Sequence, residues 1–117
     1  MVIQQGDVVW VDLPPPLDHG PAGRHPCVVL QRDGLNRSAL ATTIVVTVTS
    51  NLKYAALPGN VRLSKGEAGL PKPSVVNVTQ VATVSRTRID SKLGSLSRSR
   101  LAQVWEGVRS VLQPDEI

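Results

Sequence analysis

The segment Thr42–Thr49 constrains the fold more than any other part of the chain, because all eight of its residues are β-branched. Branched side chains are stiff at χ1 and favour strands, and the run shows no helical period. We predict a strand here, in the middle of a sheet. Further extended segments are bounded by Gly, Pro or Asn turn residues. They are Val8–Leu13, Cys27–Arg32, Asn60–Leu63, Ser74–Thr83 and a short edge strand at Lys92–Gly94.

A helical period occurs only near the C-terminus. The apolar residues Leu101, Val104, Trp105, Val108, Val111 and Leu112 recur at helical spacing. Ser97 or Ser99 is available as the N-cap, and Pro114 follows the end. This pattern predicts one amphipathic helix of about four turns, which must lie on the sheet to bury its apolar stripe.

These elements predict a mostly β protein with a C-terminal helix. Five to seven strands with short, mostly antiparallel connections would form a small, partly open barrel or a strongly curled sheet covered by the helix. With 117 residues, we expect a single domain over residues 1–117.

The composition favours a polyanionic partner, because thirteen Lys and Arg against nine Asp and Glu give a formal net charge of +4. The N-terminus has no signal-peptide pattern, and no apolar stretch approaches the roughly 20 residues of a membrane span. We expect a cytoplasmic protein that does not bind membranes. The single cysteine, Cys27, lies in an apolar run, where it fits a buried position in a reducing compartment.

Several kinds of chemistry are not indicated. Two His and one Cys lack zinc-site spacing, and no phosphate-binding glycine loop or serine-nucleophile motif occurs. Because the acidic residues are scattered singly, a two-metal nuclease is disfavoured. We therefore predict no metal and no cofactor. Three aromatic residues are too few for an extended base-stacking surface, so a bound nucleic acid would be held mainly through its phosphates by Arg and Lys.

Arg24 and His25 stand at a position that suits function. Residues 14–24 are predicted to form a loop, which is long for a connection between two strands. The next strand then begins with Pro26. Functional groups are often placed on loops at the mouth of a core strand. The alternative is a pair of solvated loop residues without a specific role.

The order and spacing of short motifs along the chain resemble the MazF/PemK (Kid) toxin family. The similarity covers about residues 4 to 112. Its motifs are Gly6–Val11, Gly23–Pro26 followed by Val28–Gln31, Asp33 and Asn36, Thr49–Ser50, Leu70–Val76, Gln80–Val84, Arg88–Ile89, Leu93–Gly94 and Leu96–Ser97.

The resemblance implies an SH3-like small barrel of the MazF/PemK/CcdB kind that assembles as a homodimer. It implies the toxin of a type II toxin–antitoxin system. Such a toxin is a metal-independent endoribonuclease that cleaves single-stranded RNA, namely mRNA, sequence-specifically by attack of the 2′-OH. The implied protein partner is an acidic, MazE-like antitoxin whose disordered tail lies in the RNA groove.

The resemblance also suggests site residues. The family's catalytic Thr ends the third strand and matches Thr49. Its catalytic Arg directly precedes the loop-ending Pro, but here His25 holds that position and Arg24 is one residue earlier. Sequence position therefore favours His25 as the equivalent of the family's catalytic Arg, whereas side-chain chemistry favours Arg24. For substrate binding we predict Ser50, together with Ser74 and Gln80, which match positions near the family's RNA groove; each could instead be a structural sheet-edge residue.

Metal-free cleavage of RNA requires a cation near the phosphate, a hydrogen-bond donor, and a group that moves protons. Arg24 suits bidentate contact with a phosphate, and Thr49 can donate from a stiff strand end. His25 can act as acid or base, since imidazole is the side chain that titrates nearest to neutrality. The products would be a 2′,3′-cyclic phosphate and a 5′-OH.

Two other functions remain open. A CcdB-type gyrase poison shares the fold, but that relative depends on a C-terminal Trp-Gly-Ile, whereas this chain ends in Gln113–Ile117. A nuclease-dead, SH3-like RNA- or antitoxin-binding module is the second, and His25 in place of the family's Arg is the feature that supports it.

Overall fold

A computed structural model describes residues 1–15 and 23–115, which form a curled antiparallel sheet and a C-terminal helix. The strands are β1 (Asp7–Leu13), β2 (Gly23–Val29), β3 (Thr42–Thr49), β4 (Val61–Leu63), β5 (Ser74–Ser85) and β6 (Ile89–Ser95). They are arranged in the order β4-β5-β3-β2-β1-β6, with all neighbours antiparallel. The helices are α1 (Asp33–Asn36) and α2 (Arg98–Leu112), and 3₁₀ turns occupy Leu52–Ala56, Glu67–Gly69 and Arg86–Arg88.

The predicted fold class is confirmed, and the β-branched run is the third strand with the expected bounds, near the middle of the sheet. Two strand starts were predicted too late. β2 begins at Gly23, not Cys27, and ends at Val29; β6 begins at Ile89, not Lys92. Most of the predicted loop at 14–24, residues 16–22, lies outside the described residues.

Pro26 explains why the start of β2 is hard to read from the sequence. Pro26 lies opposite Trp10 of β1, inside the strand, although proline cannot donate to a sheet. Pairing of β2 with β3 begins only at Cys27. One side of β2 is therefore a free edge at Pro26, where a missing N–H is tolerated.

Alternating side chains divide the apolar residues between the two faces of the sheet. One face, which α2 covers, buries Val8, Val28, Val46 and Val76. The other face buries a second cluster that consists of Ile3, Val9, Val11, Leu13, Cys27, Val29, Val45 and Val84. Burial raises the pKa of the Cys27 thiol to about 12, so the side chain remains a neutral, apolar group, as expected.

Helix α2 begins as predicted, with the Ser97 hydroxyl accepting a hydrogen bond from the Arg100 amide at 3.2 Å. Its apolar stripe is buried only in part. Val104 and Val108 are buried, whereas Leu112 is 64% exposed. No helix in the described ranges is long and apolar enough to cross a membrane.

Gly107 lets α2 approach the turn before β4. A Cβ atom at Gly107 would lie 2.1 Å from the carbonyl oxygen of Gly59, which is far inside van der Waals contact. Gly59 itself has a φ of +85°, a conformation that favours glycine. The helix and this turn therefore depend on each other for their position.

We expect Gly107→Ala to lower the free energy of unfolding by about 1–3 kcal/mol, because the added methyl group meets backbone that cannot rotate away. Urea denaturation followed by circular dichroism measures the change. Gly34→Ala is the matched control, since among the described residues no atom outside its chain neighbours and its own helix backbone lies within 4 Å of the position of its Cβ. Equal stability of the two variants would show that α2 does not need the close approach.

Candidate functional site

A cavity of about 250 Å³ opens where β2 begins and β3 ends. It combines basic, hydroxyl and apolar side chains. Its lining residues are Trp10, Arg24, His25, Pro26, Val48, Thr49, Ser50, Leu70, Pro71, Lys72 and Ser74. The cavity therefore brings together the three neighbouring strands β1, β2 and β3 and the loop that precedes β5.

Strand register determines how Arg24 and His25 are directed. The last recorded β2–β3 pair is Cys27 with Thr47, and the same antiparallel register continued by two residues sets His25 opposite Thr49. Residues that lie opposite each other project from the same face of a sheet, and adjacent residues project from opposite faces. His25 and Thr49 are thus on one face, and Arg24 is on the other, with Trp10.

Two contacts hold the Arg24 guanidinium on its face. Its Nε donates a hydrogen bond to Oδ2 of Asp90 at 2.7 Å. Its central carbon lies 4.3 Å from the centroid of the Trp10 ring, in the geometry of a cation–π contact. The hydrogen bond fixes Nε and the ring lies close to the charged centre, so two separate contacts restrain the position of the guanidinium.

The hydroxyl residues of the cavity differ in what they can offer. Oγ1 of Thr49 accepts a hydrogen bond from the Asn51 amide at 3.1 Å, which uses a lone pair and leaves the hydroxyl proton to donate. Ser50 is exposed at the end of β3. Ser74 is buried, and its hydroxyl donates to the Lys72 carbonyl at 2.8 Å, so it stabilises the loop before β5.

Gln80 is the predicted site residue that does not line this cavity. It lies in an irregular part of β5, where residues 77–80 fall between the pairs Val46–Val81 and Val48–Val76. The Asn60 side chain accepts a hydrogen bond from the Val78 amide at 2.9 Å and so satisfies part of this bulge.

Sequence reasoning missed Trp10, Lys72 and Asp90. Trp10 and Lys72 line the cavity, and Asp90 binds Arg24 from β6. Alternation along β1 is the signal that could have indicated Trp10. Nothing in the sequence pattern indicates Asp90, which is 66 residues from Arg24 and reaches it only through the order of the strands.

A larger groove, of about 720 Å³, lies between α2 and β4. It is lined by Pro58–Arg62 and by α2 residues from Arg100 to Ser110, and it includes none of the predicted site residues. Among residues 1–15 and 23–115, no group of three or more His, Cys, Asp and Glu side chains is arranged to hold a metal ion.

Comparison with known proteins agrees with this fold. Residues 4–112 match the family model described as PemK-like, MazF-like toxin of type II toxin-antitoxin system. The chain is 43% identical over 112 residues to "Endoribonuclease MazF6" of Mycobacterium tuberculosis, covering 96% of this chain and 98% of that protein.

Two solved structures from Deinococcus radiodurans are also similar. For MazF (Form-I) the TM-score is 0.82 at 27% identity, covering 97% of this chain and 99% of that chain. For MazE-MazF (Form-II) the TM-score is 0.76 at 25% identity, covering 98% and 99%.

The curled sheet and the C-terminal helix are thus those of a toxin fold. The chain belongs to the PemK-like, MazF-like toxin family of type II toxin–antitoxin systems.

Proposed function

We propose that this chain is the toxin of a type II toxin–antitoxin system and a metal-independent endoribonuclease that cleaves single-stranded mRNA at specific sequences. The observation that carries the proposal is the cavity at the ends of β2 and β3, where Arg24, His25 and Thr49 come together. The three side chains supply a permanent cation, a proton-transfer group and a hydroxyl donor. Family membership and the 43% identity to an endoribonuclease support it.

In the proposed reaction the ribose 2′-oxygen forms a bond to the adjacent phosphorus, and the bond from phosphorus to the 5′-oxygen breaks. The 2′-OH proton must be removed, and the departing 5′-oxygen must receive one. We assign one of these two proton transfers to His25, and solvent water makes the other. Arg24 and Thr49 contact the phosphoryl oxygens, where negative charge increases in the transition state.

The exchanged order of Arg24 and His25 is compatible with these roles. His25 lies opposite Thr49 by register, in the position that directly precedes Pro26. Arg24 lines the same cavity from the other face of β2, so its longer side chain can reach a phosphate at the cavity mouth. We propose Ser50 as a substrate contact, Ser74 as support for the loop that forms one wall, and Gln80 as an RNA contact outside the cavity.

Assembly and partners belong to the same proposal. We propose that residues 1–117 make up one toxin domain that acts in the cytoplasm as a homodimer. An apolar groove of about 320 Å³ beside α2 supports a dimer contact; Leu30, Leu35, Ile44, Val81, Trp105 and Leu112 are among its lining residues. The net charge of +4 supports an acidic, MazE-like antitoxin that competes with RNA.

A nuclease-dead module that binds RNA or antitoxin is the second candidate. The ion pair between Arg24 and Asp90 favours it, because a guanidinium already bonded to a carboxylate is partly neutralised. Cleavage products distinguish the two functions, since a binding module produces none.

We expect the purified protein to cleave a mixed single-stranded RNA in excess EDTA and to leave 5′-OH ends. Ligation-based mapping of both product ends measures the outcome. Thr49→Ala, purified in parallel, controls for contaminating nucleases. Activity that chelation abolishes and Mg²⁺ restores would contradict the proposed mechanism, and absence of products would favour the binding module.

The roles of the basic pair can be separated by single and exchanged substitutions. Arg24→Ala should lower the single-turnover rate by about 10²-fold or more, as loss of a preorganised charge donor typically does. Thr49→Ala should lower the single-turnover rate by a similar factor. His25→Ala should lower the single-turnover rate by a smaller factor. It should also remove one limb of the pH–rate profile, because proton transfer through imidazole is lost.

The double variant Arg24→Ala/His25→Arg moves the guanidinium to the position before Pro26. If that position is the productive one, the double variant recovers most of the rate that Arg24→Ala loses. Full activity of Arg24→Ala together with an inactive His25→Ala would contradict the role given to Arg24.

A further inference from the structure

We propose that Asp90 is a positioning residue that fixes the Arg24 guanidinium against Trp10 for contact with the scissile phosphate. The inference rests on the proposed function, because it assigns the control of a side chain to which that function gives a role. Three observations carry it: a β-bulge, the pattern of the Arg24 contacts, and the exposure of the ion pair.

A β-bulge accompanies the contact of Asp90 with Arg24. β1 pairs with β6 through Trp10–Ser91 and Val11–Ile89, with a shift of register between the two pairs, so Asp90 is the extra residue without a partner in β1. Bulges commonly re-aim one side chain and are frequent next to active sites. From β6, the Asp90 carboxylate passes across β1 and binds Arg24 on β2.

The contacts of Arg24 restrain it but leave its terminal nitrogens for another partner. The bond to Asp90 engages Nε, one of five N–H donors of the guanidinium. In the part of the chain that the structure describes, no acceptor bonds to the two terminal nitrogens. With Nε held by Asp90 and the central carbon over the Trp10 ring, the terminal edge is the one that suits bidentate contact with a phosphate.

The exposure of the pair argues against a role in folding. The side chains of Arg24 and Asp90 are 52% and 54% exposed, and ion pairs so accessible to water contribute little to stability. A bulged residue at the sheet edge, bonded to a half-exposed arginine beside the cavity, is better explained by orientation of that arginine. Removal of Asp90 should therefore leave the fold intact.

Kinetics test the inference first. Asp90→Ala should lower the single-turnover rate by about 10-fold or more, because a small misplacement of a catalytic group is costly. Binding of an uncleavable 2′-O-methyl RNA should stay equal or become tighter, since a negative charge beside the phosphate is removed. Asp90→Glu, which keeps the carboxylate, should recover part of the rate.

Asp12→Asn is the matched control. Asp12 lies opposite Arg24 in the β1–β2 register, and its carboxylate pairs with Arg88 at 3.7 Å. Asp12→Asn removes one carboxylate charge near Arg24 but leaves the bond between Asp90 and Arg24 in place. Its cleavage rate should therefore equal that of the wild type. A loss as large as that of Asp90→Ala would show that local charge, and not positioning, matters.

A double-mutant cycle makes the test specific. If Asp90 acts through Arg24, then Asp90→Ala has no further effect on the rate in the Arg24→Ala background. An equal loss in both backgrounds would overturn the inference, and so would an Asp90→Ala variant as fast as the wild type.

A readout without RNA separates this inference from the proposed function. Trp105→Phe leaves Trp10 as the single tryptophan of the chain. In that background Asp90→Ala should increase quenching of Trp10 fluorescence by acrylamide, because the guanidinium no longer covers the ring, whereas Asp12→Asn should not. A wild type that cleaves no RNA would refute the proposed function, whereas unchanged quenching in Asp90→Ala would refute the positioning contact.

Discussion

The register of β2 between β1 and β3 is the constraint on which the site depends. On one side Val8–Leu13 pair with Gly23–Val28, and on the other Cys27–Val29 pair with Val45–Thr47. Because side chains alternate, a slip by one residue would exchange the Val28 and Cys27 faces and move both buried clusters into the wrong layer. Continued two residues past the Cys27–Thr47 pair, the same register sets His25 opposite Thr49, and Arg24 lies beside Trp10. Burial of valine thus determines the placement of the polar residues.

Interruptions of regular pairing then shape the cavity. Pro26 lies where β2 is not paired with β3, and the cavity lined by Arg24, His25 and Thr49 opens there. The β6 bulge leaves Asp90 unpaired, and its carboxylate binds Arg24, which lines this space. A rigid sheet supplies the positions, and its irregular ends supply the room for a substrate, which is a common arrangement for functional sites.

Much of the fold could be predicted from local sequence. Thr42–Thr49 was predictable because every residue is β-branched, and α2 because its apolar period and Ser97 cap agree. The start of β2 was not, because Pro26 ordinarily marks the first residue of a strand. The contact of Asp90 with Arg24 was beyond local reasoning, since it requires strand order and a bulge. Resemblance suggested Gln80, but an irregular stretch of β5 places it away from the cavity.

We propose that the cavity at the ends of β2 and β3 directs a ribose 2′-OH onto the adjacent phosphorus. The most direct measurement uses an RNA whose cleavage site has been mapped, with a single 2′-deoxy nucleotide placed on the 5′ side of the scissile phosphate. We expect this one change to abolish cleavage there while binding is retained, and a 2′-deoxy nucleotide two positions away to leave cleavage unaffected. Cleavage of the modified phosphate at an undiminished rate would contradict it.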